Sequence, residues 1–289
     1  MKRIAVFIVL LLVFLVSSAE ANKRGYMDGN PIYFEYNSEK ETFQIYKPNK
    51  EYFGEMTPLK TRENYSAEDN NSFGAEITTN VLVYKLVKKD GKKNLVCSIY
   101  NQNEFDDIKN TYKTEEYDHV EFQFLGCKFD SAFLEQAFSV KNLKYVSFLA
   151  CTFPQKANFR DKTSFQSLEL AQFVKTRPPK EFFEELTAAR NLHTLVFRRL
   201  RENQKLTTSD IVLISQIPNL SNVLFEYVFE SDIELDALKG TKLKKLYIGE
   251  GFPLDLRFLD EMTSTECVLQ RSTIDKEKAP KRKDIKIIP

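Results

Sequence analysis

The sequence predicts an α/β fold made of one repeated unit, a parallel strand followed by a short return helix, preceded by a β-rich region. Three observations predict it. An apolar template recurs along the second half of the chain. The segments between its copies carry helix-start signals. Before residue 119 the template fails and hairpin signals take its place.

The clearest pair of copies is His119 to Phe129 and Leu143 to Phe153. Phe122, Phe124, Cys127 and Phe129 match Val146, Phe148, Cys151 and Phe153. The template is apolar at positions 1, 4 and 6, Cys or apolar at 9, and apolar at 11. Looser copies follow. Phe165, Leu168, Leu170 and Phe173 form the third, and Leu192, Leu195, Phe197 and Leu200 the fourth. Leu220, Val223, Phe225 and Val228 form the fifth, and Leu243, Leu246 and Ile248, with Gly251 at position 9, the sixth. Ser264, Cys267, Leu269 and Ile274 make a degraded seventh. Starts at 119, 143, 165, 192, 220, 243 and 264 give steps of 24, 22, 27, 28, 23 and 21 residues. Those steps lie within the roughly 20–29 residues of a leucine-rich repeat. Asn142-Leu143, Asn191-Leu192 and Asn219-Leu220 open three strands with one dipeptide.

On these residues the chain resembles the leucine-rich repeat superfamily over about 119–274. It departs from it in lacking Asn at position 9 and in using Phe for Leu. The resemblance implies a solenoid, an α/β leucine-rich-repeat stack in which neighbours bury each other's apolar side. Return helices fit Ser131 to Val140, Pro179 to Ala189 and Ser209 to Gln216. Pro178-Pro179 ahead of Glu181, Glu184 and Glu185 suits a helix start, and Ser209 is the expected N-cap of the third helix.

Upstream, Ile32 to Tyr36 and Phe43 to Tyr46 are expected strands, and Asn80 to Val87 and Asn94 to Tyr100 flank the hairpin signal Asp90-Gly91. Thr57 to Asn71 is a polar stretch between them. Residues 22–115 are therefore a β-rich N-terminal region, expected to cap the first repeat, with a separate ligand-binding module as the alternative. Tyr26, Tyr33, Tyr36, Tyr46 and Tyr52 suit a core or a contact surface. The repeat domain is 116–274. The tail 275–289 has six basic residues against three acidic and is expected to be a solvated end, with a heparin- or lipid-binding patch as its rival.

The first 21 residues have the pattern of a secretory signal. Lys2 and Arg3 precede 13 consecutive apolar residues, Ile4 to Val16, and Ala19-Glu20-Ala21 fits a cleavage site. A membrane span would need roughly 20 apolar residues. A secreted, extracellular location and no integral membrane segment in the mature chain follow as expectations. Of 289 residues, 42 are basic and 41 acidic; without the signal, 268 remain with 40 of each sign. Zero net charge argues against a nucleic-acid partner bound through bulk positive charge. Asn64, Asn70 and Asn219 head glycosylation triplets, so a glycoprotein is possible on motif grounds.

Reactive chemistry is sparse. The two histidines, His119 and His193, sit at repeat positions 1 and 2, no His pair has metal-ligand spacing, and no Cys-x-x-Cys, Gly-rich phosphate loop or nucleophile turn occurs. No catalytic residue, metal or cofactor is assigned, and the chain is expected not to be an enzyme. Under the repeat register, Cys127 and Cys151 share position 9 in adjacent repeats, about 5 Å apart. Cys267 falls roughly 25 Å beyond them. At most one disulfide is expected, among Cys97, Cys127 and Cys151, with buried thiols the favoured state.

The family resemblance implies that positions 2, 3, 5, 7 and 8 face a concave side. There, Tyr145, Val196, Arg198, Leu224, Tyr227 and Tyr247 are the expected partner-binding residues, since Tyr, Arg and isolated apolar side chains make hot spots. Arg198 and Glu226 could equally be a plain exposed ion pair. The function expected is non-catalytic recognition of a protein partner. A structural or adhesive extracellular component, for which self-association is possible, and a secreted enzyme are the alternatives.

Overall fold

The computed structural model describes residues 24–27, 30–37, 39–47, 49–61, 81–160 and 162–289. The expected signal segment 1–21 and the glycosylation candidates Asn64 and Asn70 lie outside the described residues. The fold is α/β and solenoid-like. It divides into two compact units, one holding residues up to 98 with 110–121, the other 99–109 with everything from 122 onward.

The first unit is an antiparallel meander. Its strands are β1 (Arg24–Met27), β2 (Asn30–Asn37), β3 (Thr42–Tyr46), β4 (Tyr52–Thr61), β5 (Val81–Lys88) and β6 (Lys93–Ile99), each paired with the next. The Asp90-Gly91 signal is a tight hairpin turn: Gly91 has φ 82° and donates its N–H to Lys88 O at 2.8 Å. Only glycine tolerates that backbone without strain. Strand β4 takes in the first residues of the polar stretch, Thr57 to Thr61. It contains Pro58 at a register shift, where a missing N–H is tolerated. Gly54 in β4 is buried so closely against β5 that a Cβ would lie 2.6 Å from Val87 O. Phe43, Ile45, Met56, Val83, Leu86, Leu95 and Cys97 form this unit's core.

The second unit is a parallel stack. Its strands β7 (His119–Leu125, of which 122–125 belong to this unit), β8 (Leu143–Leu149), β9 (Leu170–Val174), β10 (Thr194–Arg198), β11 (Asn222–Glu226), β12 (Lys245–Gly249), β13 (Glu266–Gln270) and β14 (Lys286–Ile288) lie side by side in chain order. The pairings from β8 to β14 are parallel. Helix α1 (Gln102–Thr111) precedes them. Return helices are α2 (Ser131–Ala137), α3 (Thr163–Ser167), α4 (Lys180–Leu186) and α5 (Thr208–Ser215). Later returns shrink to 3-10 turns at Asp236–Gly240 and Arg257–Glu261.

A row of phenylalanines at position 6 runs through the stack. Phe124, Phe148, Phe173, Phe197 and Phe225 stack nearly parallel, with centroids 5.3, 5.4, 5.0 and 6.1 Å apart and ring planes within 13°. Ile248, Leu269 and Ile287 continue the row. Burying one such ring contributes roughly 1.5–3 kcal/mol, and ring-on-ring contact adds about 0.5–1.5 kcal/mol. The use of Phe in place of Leu therefore builds a continuous aromatic spine.

The register corrects the third repeat. Val146 pairs with Ala171 and Phe148 with Phe173, so Leu168, Ala171 and Phe173 hold positions 1, 4 and 6. Phe165, expected to start that repeat, lies instead in α3, buried and stacked on Phe138 at 4.7 Å. The spine spacings, read from the residue numbers, are 24, 25, 24, 28, 23, 21 and finally 18 residues to Ile287. The slip arises because the small Ala171 hides position 4, while Phe165 and Leu170 mimic the template three residues out of step.

Two local expectations also change. The N-cap of α5 is Thr207, not Ser209: Thr207 Oγ1 accepts the Asp210 N–H, and Asp210 Oδ2 accepts the Thr207 N–H at 2.8 Å. Arg177 Nη2 then grips both oxygens of the buried Asp210 at 3.1 and 2.8 Å. The tail 275–289 is docked rather than frayed. β14 pairs with β13, and the Lys281 and Arg282 N–H groups donate to Asp260 Oδ1. The Arg282 guanidinium donates to Met262 O and Thr265 O, carbonyls of the turn before β13, and so ties the tail to that turn.

Candidate recognition face

In a strand, successive side chains point to opposite faces. Positions 4 and 6 point into the spine, so positions 3, 5 and 7 form the other face of the sheet. In the observed register, position 5 is Gln123, Ser147, Gln172, Val196, Leu224, Tyr247 and Val268. Position 7 is Leu125, Leu149, Val174, Arg198, Glu226, Gly249 and Gln270. The third repeat thus presents Leu170, Gln172 and Val174 rather than the Ser167 and Glu169 of the uncorrected template.

Exposure changes along this face. In β7 to β10, Glu121, Gln123, Tyr145, Ser147, Leu170, Gln172, Thr194 and Val196 are all buried. From β11 onward, Asn222, Leu224, Glu226, Tyr247, Val268 and Gln270 are half-buried, and Lys245 and Glu266 are exposed. Two of the six expected contact residues therefore offer almost no surface: Tyr145 is 6% exposed and Val196 2%. The position rule says nothing about how exposed each residue of the face is. Arg198, Leu224, Tyr227 and Tyr247 are half-buried on the open part.

The strand ends explain why Tyr227 joins them. At position 8, Gly126, Ala150, Lys175, Arg199 and Tyr227 all take left-handed φ, between 52° and 66°. Each donates its N–H to the position-7 carbonyl of the next strand: Leu149, Val174, Arg198, Glu226 and Gly249, at 2.7–2.9 Å. This repeated kink turns the chain out of each strand and sets the position-8 side chain on the rim.

Four of the expected residues are brought together with Glu226, named in the sequence only as an ion-pair partner of Arg198, and with Arg199 and Gln270, which were not singled out. Arg198 Nε lies 3.1 Å from Glu226 Oε2, and Arg199 Nε lies 3.4 Å from Glu226 Oε1. Tyr227 accepts a hydrogen bond at its hydroxyl from Gln270 Nε2 at 2.9 Å. Tyr247 lies over Gly249, where a Cβ would meet its hydroxyl at 2.8 Å. Burial first, then the Glu226 carboxylate, holds the Tyr247 phenol above its ordinary value, while Arg198 pulls the other way. The result is a patch of two tyrosines, one leucine, a guanidinium and a shared carboxylate. Leu224 pairs in register with Val196 and Tyr247 at its centre. Gln270 could have been found by extending the position-7 row one repeat further.

Below the rim, polar side chains serve backbone groups of neighbouring repeats. The Cys127 thiol donates to Ile99 O, and the Cys151 thiol donates to Phe124 O at 3.3 Å. Thr176 Oγ1 accepts the Cys151 N–H at 2.8 Å, and Glu250 Oε1 accepts the N–H groups of Val228 and Phe229. At the strand entries, Asn191 and Asn219 donate to the carbonyls of Gln166 and Arg190. The recurring Asn-Leu dipeptide is thus a stacking device. Asn219 is exposed, yet its amide nitrogen, the atom a glycan would take, is held 2.6 Å from Arg190 O.

The four cysteines are free and buried. Burial pushes the Cys97 and Cys267 thiols up, and the hydrogen bond to Cys151, then burial, pushes up Cys127. His193 Nδ1 sits 2.9 Å from Thr194 Oγ1, and its Nε2 is 3.8 Å from Glu169. Among the described residues no group of three or more His, Cys, Asp or Glu could hold a metal ion, and no helix is long and apolar enough to cross a membrane. The chain matches no protein-family model, no curated protein and no solved structure.

Proposed function

We propose that this chain is a secreted, non-catalytic recognition protein of leucine-rich-repeat type that binds a protein partner on the open part of its repeat sheet. The observation that carries the reading is the patch of Arg198, Leu224, Tyr227 and Tyr247, half-buried on parallel strands and braced by Glu226 and Gln270. Tyr and Arg on a rigid backbone supply contact area with little ordering entropy lost on binding. In the same reading residues 22–115 serve as the cap that the open end of a solenoid requires. The signal pattern at 1–21 supplies the route out of the cell.

The test is affinity capture from extracellular extract with the mature chain, beside an Arg198→Glu/Tyr247→Ala variant shown to be folded. A partner held by the first and lost by the second, by about tenfold or more in affinity, is the expected result. Retention by both would move the binding site to residues 22–115. Self-association without any partner would favour a structural or adhesive role.

A further inference from the structure

We propose that the patch takes a carboxylate from an acidic segment of its protein partner, received by the Arg198 guanidinium and the basic rim beside it; this rests on the recognition reading above. Glu226 lies beside Arg198 Nε, and among the described residues nothing accepts a hydrogen bond from the two terminal nitrogens of Arg198. Arg198 Nε is itself buried and makes no hydrogen bond, so the ion pair with Glu226 leaves the guanidinium's donors unused, and a guanidinium fork matches a carboxylate in geometry.

The surroundings carry an excess of positive charge. The position-8 kink puts Lys175 and Arg199 at the same place in adjacent repeats, both exposed, and exposed Arg201 follows. Glu226 is shared between Arg198 and Arg199. Arg177 is excluded from the count, since Asp210 occupies it. Lys205 points at Tyr227 O at 3.1 Å and lies 3.9 Å from Glu202, which is almost fully exposed. Arg198, Arg199, Lys175, Arg201 and Lys205 outnumber Glu226 and Glu202 here and complement a further carboxylate, and Tyr227, Tyr247 and Leu224 beside them suit the apolar flank of a peptide rather than a bare inorganic anion. The overall zero charge of the mature chain makes the rim a local feature, not a bulk one.

The probe is a fluorescent peptide of alternating Glu and Ala, with alternating Gln and Ala as its neutral counterpart and a sulfated oligosaccharide of matched charge as the third arm. The acidic peptide should bind and the neutral one should not. Arg198→Gln should weaken binding about tenfold. Arg198→Lys, which keeps the charge and loses the fork, should weaken it severalfold, roughly as a bidentate contact requires. Lys141→Gln removes an exposed charge at the entry to β8, the opposite end of the strands, and should leave binding within about twofold. Both Arg198 variants are first checked by thermal unfolding. Equal losses for Arg198→Gln and Lys141→Gln, or full affinity in Arg198→Lys, would overturn the proposal. So would tighter binding of the sulfated sugar through the same residues. If a partner captured through Tyr247 is not displaced by the acidic peptide, the acidic assignment falls while the recognition reading stands. If no partner depends on Tyr247, the recognition reading falls, and the titration still decides whether the rim takes carboxylates.

Discussion

Glu250 serves two backbone groups with one side chain. It is buried, and its Oε1 accepts two backbone N–H groups from the preceding repeat, while its own N–H donates to Thr273 Oγ1 at 2.8 Å. Burial raises its carboxyl above the ordinary 4.5, and the two N–H donors only partly offset that. Ionisation is therefore less favourable in the fold than in the unfolded chain. By linkage, the stability from its proton is fully present below the unfolded value and is lost as pH rises through the folded one. Glu250→Gln keeps an acceptor oxygen and removes the charge. Urea unfolding should find it at least as stable as the parent at neutral pH, with the parent gaining on it as pH falls from neutral toward 4.5. Glu250→Ala leaves two buried donors unmet and should lose about 1–3 kcal/mol at neutral pH. A parent that instead loses stability relative to Glu250→Gln on acidification would show that the carboxylate is the favoured form.

At the scale of the element, the repeat is held by a spine and a kink, and the two give opposite predictions. Phe173 sits between Phe148 and Phe197 and touches Phe182 edge-on at 5.5 Å. Phe173→Ala should lose about 3–5 kcal/mol, read by chemical denaturation, since the stacked neighbours cannot close the gap. Ala150 holds φ 52°, a conformation that glycine takes freely and that Gly126 already fills one repeat earlier. Ala150→Gly should therefore raise stability, by up to about 1 kcal/mol after the greater freedom of glycine in the unfolded chain is allowed for. An unchanged or lowered midpoint would mean that the kink carries no strain. The spine was legible in the sequence wherever position 4 was large, at Phe122, Val146, Leu195, Val223 and Leu246. It slipped where position 4 was Ala171. The kink was not legible, because Gly, Ala, Lys, Arg and Tyr share a backbone conformation there and no side-chain property. Helix α1 was missed although Asn101 and Glu104 carry its cap, Glu104 N–H to Asn101 Oδ1 at 3.0 Å and Tyr100 N–H to the Glu104 carboxylate at 2.8 Å. Which residues share the sheet face was legible outside the third repeat, and their exposure was not. Burial of Tyr145 and Val196 depends on the side chains that pack around them in three dimensions, which alternation along a strand does not encode.

At the scale of the whole molecule, the stack beyond residue 122 is quasi-one-dimensional, because each repeat leans on its two neighbours. Stability in such an array is distributed, and its ends open before its middle. The cysteines are placed to report this. Cys151 lies between two complete repeats and shares hydrogen bonds with Phe124 O and Thr176 Oγ1. Cys267 lies in β13, covered on its outer side by the three-residue β14 and by Arg282, whose Nη1 is 3.8 Å from the sulfur. Both thiols are buried, so a thiol reagent reaches them only through opening. Pulsed labelling across a urea series, read by mass spectrometry, should modify Cys267 at lower urea than Cys151. Arg282→Ala removes donors to Met262 O and Thr265 O and should widen that gap, advancing Cys267 while leaving Cys151 unmoved. Simultaneous labelling of both thiols, unchanged by the substitution, would mean that the spine couples the repeats tightly enough to unfold as one unit. Separation of the two would show that the patch proposed for recognition, on β10 to β13, belongs to the less stable end of the stack.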